Sequence, residues 1–319
     1  MYSLHFYGRM ITDGLRVRAY AEALRRAVTP NSVVMDLGCG PGVFALLACK
    51  FGARKVYAVE PENVISLARE AAAANGFTEL IEFFEKPSTE ITVAEPADII
   101  ISDLRGVLPW FEQHISSIVD ARRRLLAPGG VLIPKRDVLW ASVVEAPEQY
   151  EELVGPWQKN KFDLDLSAGA RLITNTWRKT RLAPEQLLSK PVCWTRIDYY
   201  EVDDPDIRGE LSWRIARAGT AHGVSVWFDS ELSDDIGFSN HPAEPELIYG
   251  NGFFPFSQPV AVNEGDRIEL ELAADLVQDG YVWRWHTTIF SGSQVKASFS
   301  QSTFFGVPLS TAYLRKSAQ

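Results

Sequence analysis

The chain has 319 residues, 46% of them hydrophobic and 23% charged. This is ordinary globular composition at roughly twice the length of a typical single domain, so two domains are expected. With 32 Lys and Arg against 41 Asp and Glu, the net charge of −9 argues against a nucleic acid or membrane partner held by long-range attraction.

The first elements in chain order are an amphipathic helix over residues 12–28 and then short β-branched runs at 32–36, 55–60, 81–85, 98–103 and 131–134. Between the runs, residues 42–51, 62–74 and 111–126 carry apolar side chains at helical spacing. Strand and helix alternating in this way predict an α/β fold, a doubly wound and mostly parallel Rossmann-like sheet over 31–134, preceded by an N-terminal helix within 1–30. After Pro134 the pattern changes to period-two strands at 138–145, 195–202, 211–218, 223–229, 266–273 and 281–290. These predict an antiparallel β-barrel or sandwich over 135–319, with the more polar stretch 157–190 projecting as an inserted arm. No apolar run is long enough to span a bilayer. Arg9, Asp13, Arg16 and Arg18 break the N-terminus where an export signal would be apolar, and the three cysteines have no metal-ligand spacing. A cytoplasmic chain without disulfides or a metal is expected.

The sharpest motif is Asp36-Leu-Gly38-Cys-Gly40-Pro-Gly42, which follows an apolar strand and opens a helix. Glycines at alternate positions let the backbone turn tightly and bring a ligand against the chain. Glu60 ends the next strand, where a carboxylate can accept both hydroxyls of a ribose. A dinucleotide loop and a purely structural turn are the alternatives. Val43 stands where a dinucleotide fingerprint needs its third glycine, and Asp36 would repel a phosphate but suits an ammonium, so the pattern favours S-adenosyl-L-methionine. Pro128-Gly129-Gly130, between a helix and a strand, is a turn common among methyltransferases of this class. Asp103 and Glu112 lie at and just beyond the carboxyl end of the fourth run, the position where open parallel sheets gather their chemistry. A carboxylate near a helix start, as at Glu112, is also what the helix dipole favours.

From about Phe6 to Phe256 the sequence resembles the protein arginine N-methyltransferases, on Ser102, Gly106, Leu108 and Glu112 of their acidic loop and on Asp36, Gly38, Gly40 and Glu60 of their cofactor site. The resemblance implies transfer of a methyl group from S-adenosylmethionine to a nitrogen acceptor, with Asp103 and Glu112 as the acceptor-gripping carboxylates. It implies that Arg16 meets the cofactor carboxylate and that Thr89 faces the adenine. It further implies a homodimer built through the arm, where Phe162, Leu164, Leu166, Leu172 and Trp177 are apolar. The sequence departs from the family at three places. Asp103 is one methylene shorter than the family glutamate, Arg105 replaces a methionine of the acceptor pocket, and Leu247-Ile248-Tyr249 replaces a Thr-His-Trp loop. Arg105 and Tyr249 are therefore expected at the substrate side, with Arg105, if turned inward, neutralising one carboxylate. The five histidines are expected to be packed or solvated. A small-molecule acceptor, or a relative that binds cofactor or partner without methylating arginine, are the alternative readings.

Overall fold

The computed structural model describes residues 2–159 and 163–306. The chain opens with α1 (Leu4–Thr12), capped by the Ser3 hydroxyl, and α2 (Gly14–Ala27), capped by the Asp13 carboxylate. There follow β1 (Val33–Leu37), α3 (Val43–Lys50), β2 (Lys55–Val59), α4 (Ile65–Ala74), β3 (Ile81–Phe84), β4 (Ala97–Ser102), α5 (His114–Arg124) and β5 (Leu126–Ile133). The five strands form one parallel sheet in the order β3-β2-β1-β4-β5. Every residue of β1 is buried, as a central strand covered on both faces requires. The chain leaves β3 at one edge and re-enters beside β1 as β4. The carboxyl ends of β1 and β4 therefore flank the crevice where ligands bind in sheets of this type.

Beyond Pro134 lie β6 (Arg136–Val144), α6 (Pro147–Gln158), α7 (Ser167–Ile173), β7 (Arg178–Thr180), β8 (Val192–Asp198), β9 (Ile207–Arg214) and β10 (Gly219–Ser233). The last strands are β11 (Ile236–Ser239), β12 (Asn251–Val262), β13 (Arg267–Val277), β14 (Gly280–Ser291) and β15 (Gln294–Ser302). One antiparallel sheet has the order β7-β12-β10-β6-β8 with β11 paired to β10, and a second has the order β15-β14-β13-β9. Indole N–H groups join them: Trp213 donates to the Ala141 carbonyl at 3.2 Å and Trp285 to that of Pro255 at 3.3 Å. Trp283 and Trp285 are buried, and the intervening Arg284 pairs with Asp275. Among the described residues no helix is long and apolar enough to cross a membrane, and no cluster of His, Cys, Asp or Glu could hold a metal.

The α/β architecture is thus as the sequence predicts, with several elements it does not signal. Gly155 and Pro156 obscure α6, and Pro255 and Pro259 read as strand breakers inside β12. The β5 strand begins at Leu126, five residues before the apolar run, and takes the Pro128-Gly129-Gly130 turn as a register shift against β4. In the arm, Trp177 packs inward on Phe254 and Trp283, so its apolar surface is spent within the chain. Phe162 lies outside the described residues.

The parallel and antiparallel parts meet over a buried ionic network. Arg105, just past β4, donates from Nη1 to Asp137 of β6 and to the Ser230 hydroxyl of β10, both at 2.8 Å, while the Tyr199 hydroxyl donates to Asp137 at 2.6 Å. Both members of the ion pair are fully buried. Breaking one side leaves an uncompensated buried charge, at a cost of about 3–5 kcal/mol, whereas replacing both with apolar groups is far milder. Asp137→Ala is therefore expected to lower the denaturant-unfolding free energy by about that amount, and the double variant Arg105→Met/Asp137→Leu to recover most of it.

Candidate active site

At the end of β1, Gly38 and Gly40 have φ of +75° and +50°, left-handed values open to glycine without strain. A Cβ at Gly38 would sit 2.1 Å from a Leu104 methyl, and one at Gly40 would meet the Tyr7 ring at 3.0 Å. The loop is therefore a shallow cradle under α1. Its sides are Tyr7, Met10, Arg16, Phe44 and Asp103, around a small cavity of about 60 Å³. A larger cavity of about 510 Å³ continues along the carboxyl edge of the sheet, past Val59, Pro61, Thr89, Glu112 and His114. The sequence-derived residues Asp36, Gly38, Gly40, Glu60, Thr89, Arg16, Asp103 and Glu112 all fall on this one edge.

Asp36 is buried and its Oδ2 accepts the Ala45 N–H of α3 at 2.8 Å. Burial pushes its carboxyl up to about 7, against that hydrogen bond and with help from the negative Glu60 and Asp103. Glu60 accepts N–H groups of Gly40 and Glu62, each at 3.0 Å, so its two oxygens are oriented from behind and keep lone pairs free. Burial raises its pKa too, opposed by those two donors.

Asp103 is the most crowded group of the site. Arg16 donates to its Oδ2 from Nε at 2.6 Å and pairs with it again through Nη2. The Tyr249 hydroxyl lies 2.8 Å from both carboxylate oxygens, and Arg105 Nε stands 3.6 Å from Oδ1. Burial alone would raise the Asp103 pKa, but the two guanidinium groups and the Tyr249 hydroxyl outweigh it and hold the carboxyl below its ordinary value. Burial and the neighbouring Asp103 push the Tyr249 phenol up, so it stays neutral and can donate.

Asp13, which the motif analysis passed over, fixes this arrangement. Its Oδ1 caps α2 at the Arg16 N–H, and its Oδ2 accepts the Ile248 N–H at 2.8 Å, which ties the loop carrying Tyr249 to the helix carrying Arg16. Its signal was present as an Asp three residues before Arg16 at a helix start.

Glu112 is exposed, lines the larger cavity and has φ of +44°. A non-glycine residue there holds strain of about 1–2 kcal/mol. The strain arises in a turn closed by the His114 N–H donating to the Phe111 carbonyl at 3.1 Å. Gln113, not Glu112, stands at the cap of α5, so Glu112 is not a capping residue. Arg105 points away from the cavity into the network with Asp137. The sequence placed it beside the substrate, but its side chain is committed to that network and lines neither cavity. Tyr249, expected on the same side, is buried against Asp103. Of the histidines, His5 and His286 are exposed and His222 is packed, accepting the Ala146 N–H at 3.2 Å. His114 alone among them lines the cavity.

Residues 135–280 match the arginine methyltransferase oligomerization subdomain, and residues 19–147 match the ribosomal protein L11 methyltransferase family. The chain is 28% identical to a probable protein arginine N-methyltransferase 6 of Arabidopsis thaliana, over 81% of this chain and 61% of that one. It is 28% identical to protein arginine N-methyltransferase 2 of Homo sapiens, over 90% and 69% respectively. It therefore spans about two thirds of the length of these relatives. Among solved structures it is similar to the Trypanosoma brucei PRMT1 enzyme–prozyme heterotetrameric complex with AdoHcy, with a TM-score of 0.84 at 22% identity over 95% of this chain and 98% of that one. It is also similar to Arabidopsis thaliana protein arginine methyltransferase 10, with a TM-score of 0.81 at 22% identity over 94% and 97%. A matching barrel-side subdomain, relatives matched across both halves and a shared fold agree with the geometry of the sheet edge: in both its halves the chain is similar to the protein arginine N-methyltransferases.

Proposed function

We propose that the chain is an S-adenosylmethionine-dependent methyltransferase that moves a methyl group to a nitrogen of its acceptor. The observation that carries this is the glycine cradle ending β1, where Gly38 borders the cavity that Glu112 lines, with Glu60 just past the end of β2 bonded to the cradle at Gly40. The residues present fit the cofactor. A Cβ at Gly38 or Gly40 would crowd the cradle, and Glu60 offers two oriented oxygens for ribose hydroxyls. Asp36 would face the amino group, Arg16 the carboxylate and Thr89 the adenine side. Arg16 has five N–H groups, and its Asp103, Tyr249 and Met10 partners leave some of them available. When bound, S-adenosylmethionine supplies an electrophilic methyl group on a cationic sulfur. The chain's own part is positional: α1 covers the cradle and excludes water, and the acidic segment orients the acceptor nitrogen. Asp103, held ionised by Arg16 and Arg105, spends its charge on those two cations and keeps Arg16 in place.

The match to an oligomerization subdomain also supports self-association through the arm. Trp157, Leu164 and Leu166 there are 40%, 59% and 37% exposed, more apolar surface than an isolated projection should leave in water. A two-fold dimer through this surface is part of the proposal. Removing the whole arm would also remove β7, which pairs with β12, and the buried Leu182 and Leu188. Surface substitutions are therefore the cleaner probe.

Four outcomes test the reading. With labelled cofactor and cell lysate, a labelled protein band is expected; label in the small-molecule fraction would move the acceptor class. Glu60→Ala should weaken S-adenosylhomocysteine binding in calorimetry by about tenfold or more, since charge-assisted hydrogen bonds are lost, with the circular dichroism spectrum unchanged. Burial pushes the Asp36 carboxyl up to about 7, and it must be ionised to face an ammonium. Affinity for S-adenosylhomocysteine should therefore fall as pH drops below 7, by up to about tenfold per unit, and Asp36→Asn should be weaker and nearly flat. Light scattering should give a dimer for the wild type and a monomer for Trp157→Glu/Leu166→Glu; a wild-type monomer at micromolar concentration would refute the assembly.

A further inference from the structure

A pair of carboxylates gripping one cation needs both to be free, and here one is not. Asp103 is spoken for by Arg16, Arg105 and Tyr249 and is 5% exposed. Glu112 by contrast forms no ion pair among the described residues and lines the cavity. Two residues on, His114 lines the same cavity. Its Nδ1 lies 2.8 Å from the Pro109 carbonyl, which can only accept, so Nδ1 carries the proton and Nε2 carries a lone pair. The His114 side chain lines that cavity at 2% exposure, and among the described residues no hydrogen bond reaches Nε2. Burial, then the positive Arg105, lower the His114 pKa to about 4, so the ring is neutral at ordinary pH and Nε2 remains an acceptor.

The nearby amide donor is also engaged. Gln113 lines the same cavity, and its Nε2 donates to the Gln278 carbonyl at 2.7 Å and to Asp279 Oδ1 at 3.3 Å. Glu112 and His114 thus present acceptors on one short turn. Such a wall suits a ligand made only of donors, and a guanidinium has five N–H groups in a plane and no acceptor.

We propose that Glu112 and His114 are the acceptor-gripping pair for a peptidyl guanidinium, with His114 Nε2 taking the hydrogen-bonding place that Asp103 gives up to Arg16, Arg105 and Tyr249. The proposal rests on the methyltransferase reading above and assigns the acceptor-binding role to a residue that neither the sequence motif nor the carboxylate pair predicts. Asp103 becomes a positioning residue that holds Arg16 and Tyr249 in place.

The test uses the full chain with a glycine- and arginine-rich peptide, S-adenosylmethionine as methyl donor for the kinetics and S-adenosylhomocysteine for the binding measurements. His114→Phe keeps the ring volume without the lone pair. It should raise the peptide KM about tenfold or more, as for one hydrogen bond lost to a charged partner, and leave S-adenosylhomocysteine affinity within about threefold. His114→Gln, which returns an oxygen acceptor, should recover most of the loss. Asp103→Asn should weaken S-adenosylhomocysteine binding more than it raises the peptide KM. If His114→Phe misfolds, the wild type answers: in nitrogen-15 spectra of the S-adenosylhomocysteine complex, adding the peptide should shift Nε2 of His114 and leave Nδ1 in place. An unmoved KM or Nε2 signal overturns the proposal, as does a His114→Phe loss confined to cofactor affinity. A wild type that binds S-adenosylhomocysteine but neither binds nor methylates the peptide overturns it as well. A wild type that fails to bind S-adenosylhomocysteine overturns instead the reading on which it rests.

Discussion

Two buried arginines facing one buried carboxylate set the terms for everything around them. Arg16 comes from α2, Asp103 from the end of β4 and Arg105 from the segment after it, and Arg105 passes its charge on to Asp137 of β6. Opposite charges about 4 Å apart attract by about 4 kcal/mol at an intermediate effective dielectric. Desolvation of a buried ion has a penalty of similar size. Such a chain of charges persists only when each member has a partner. Removing any link strands another, so the network specifies how the N-terminal helices, the parallel sheet and the antiparallel sheets sit together. The ligand cradle lies at that junction.

Local chemistry made the parallel sheet and the glycine turn at its carboxyl edge legible. Asp36, Gly38, Gly40 and Glu60 act through backbone turns and strand ends, and these are written in contiguous residues. The β1 run is apolar because both faces are covered, and Glu60 is recognisable because a carboxylate ending a parallel strand has few other uses. Long-range pairing was not legible. Arg105 meets Ser230 across 125 residues and Tyr249 meets Asp103 across 146, and no spacing rule announces either. The direction of the Arg105 side chain therefore could not be derived from its position beside Asp103. What decided it was a carboxylate on β6, buried with no other cation in reach. Strands that depend on context were also hidden. Polar β15 is held by pairing with β14 on the sheet edge, and β12 carries prolines that its bulged register against β10 tolerates.

The three departures from the family pattern are coupled in the structure. A shorter acid at 103 keeps the carboxylate near the backbone, where Arg16 and Tyr249 can both reach it. A tyrosine at 249 supplies a hydroxyl directed at that acid. An arginine at 105 needs its own counterion, which Asp137 provides with the Tyr199 and Ser230 hydroxyls in support. In combination the buried polar groups of the three residues are nearly all satisfied. The exception is Arg105 Nε, which has only the 3.6 Å approach to Asp103.

That coupling has a consequence for where polarity remains available. A side chain is free to bind a ligand only if the fold has not already spent its hydrogen bonds. At the cradle, Glu60 has each oxygen engaged by one N–H and so stays receptive. At the acceptor end the spending is complete on Asp103 and absent on Glu112, whose left-handed backbone is held in place by the turn it belongs to. Strain of this kind persists where the surrounding structure fixes it and a function requires it. The turn that strains Glu112 is closed by the amide of His114, so one hydrogen bond sets the position of both residues along the cavity wall. The same short segment therefore carries the free carboxylate, the neutral imidazole and the geometry relating them.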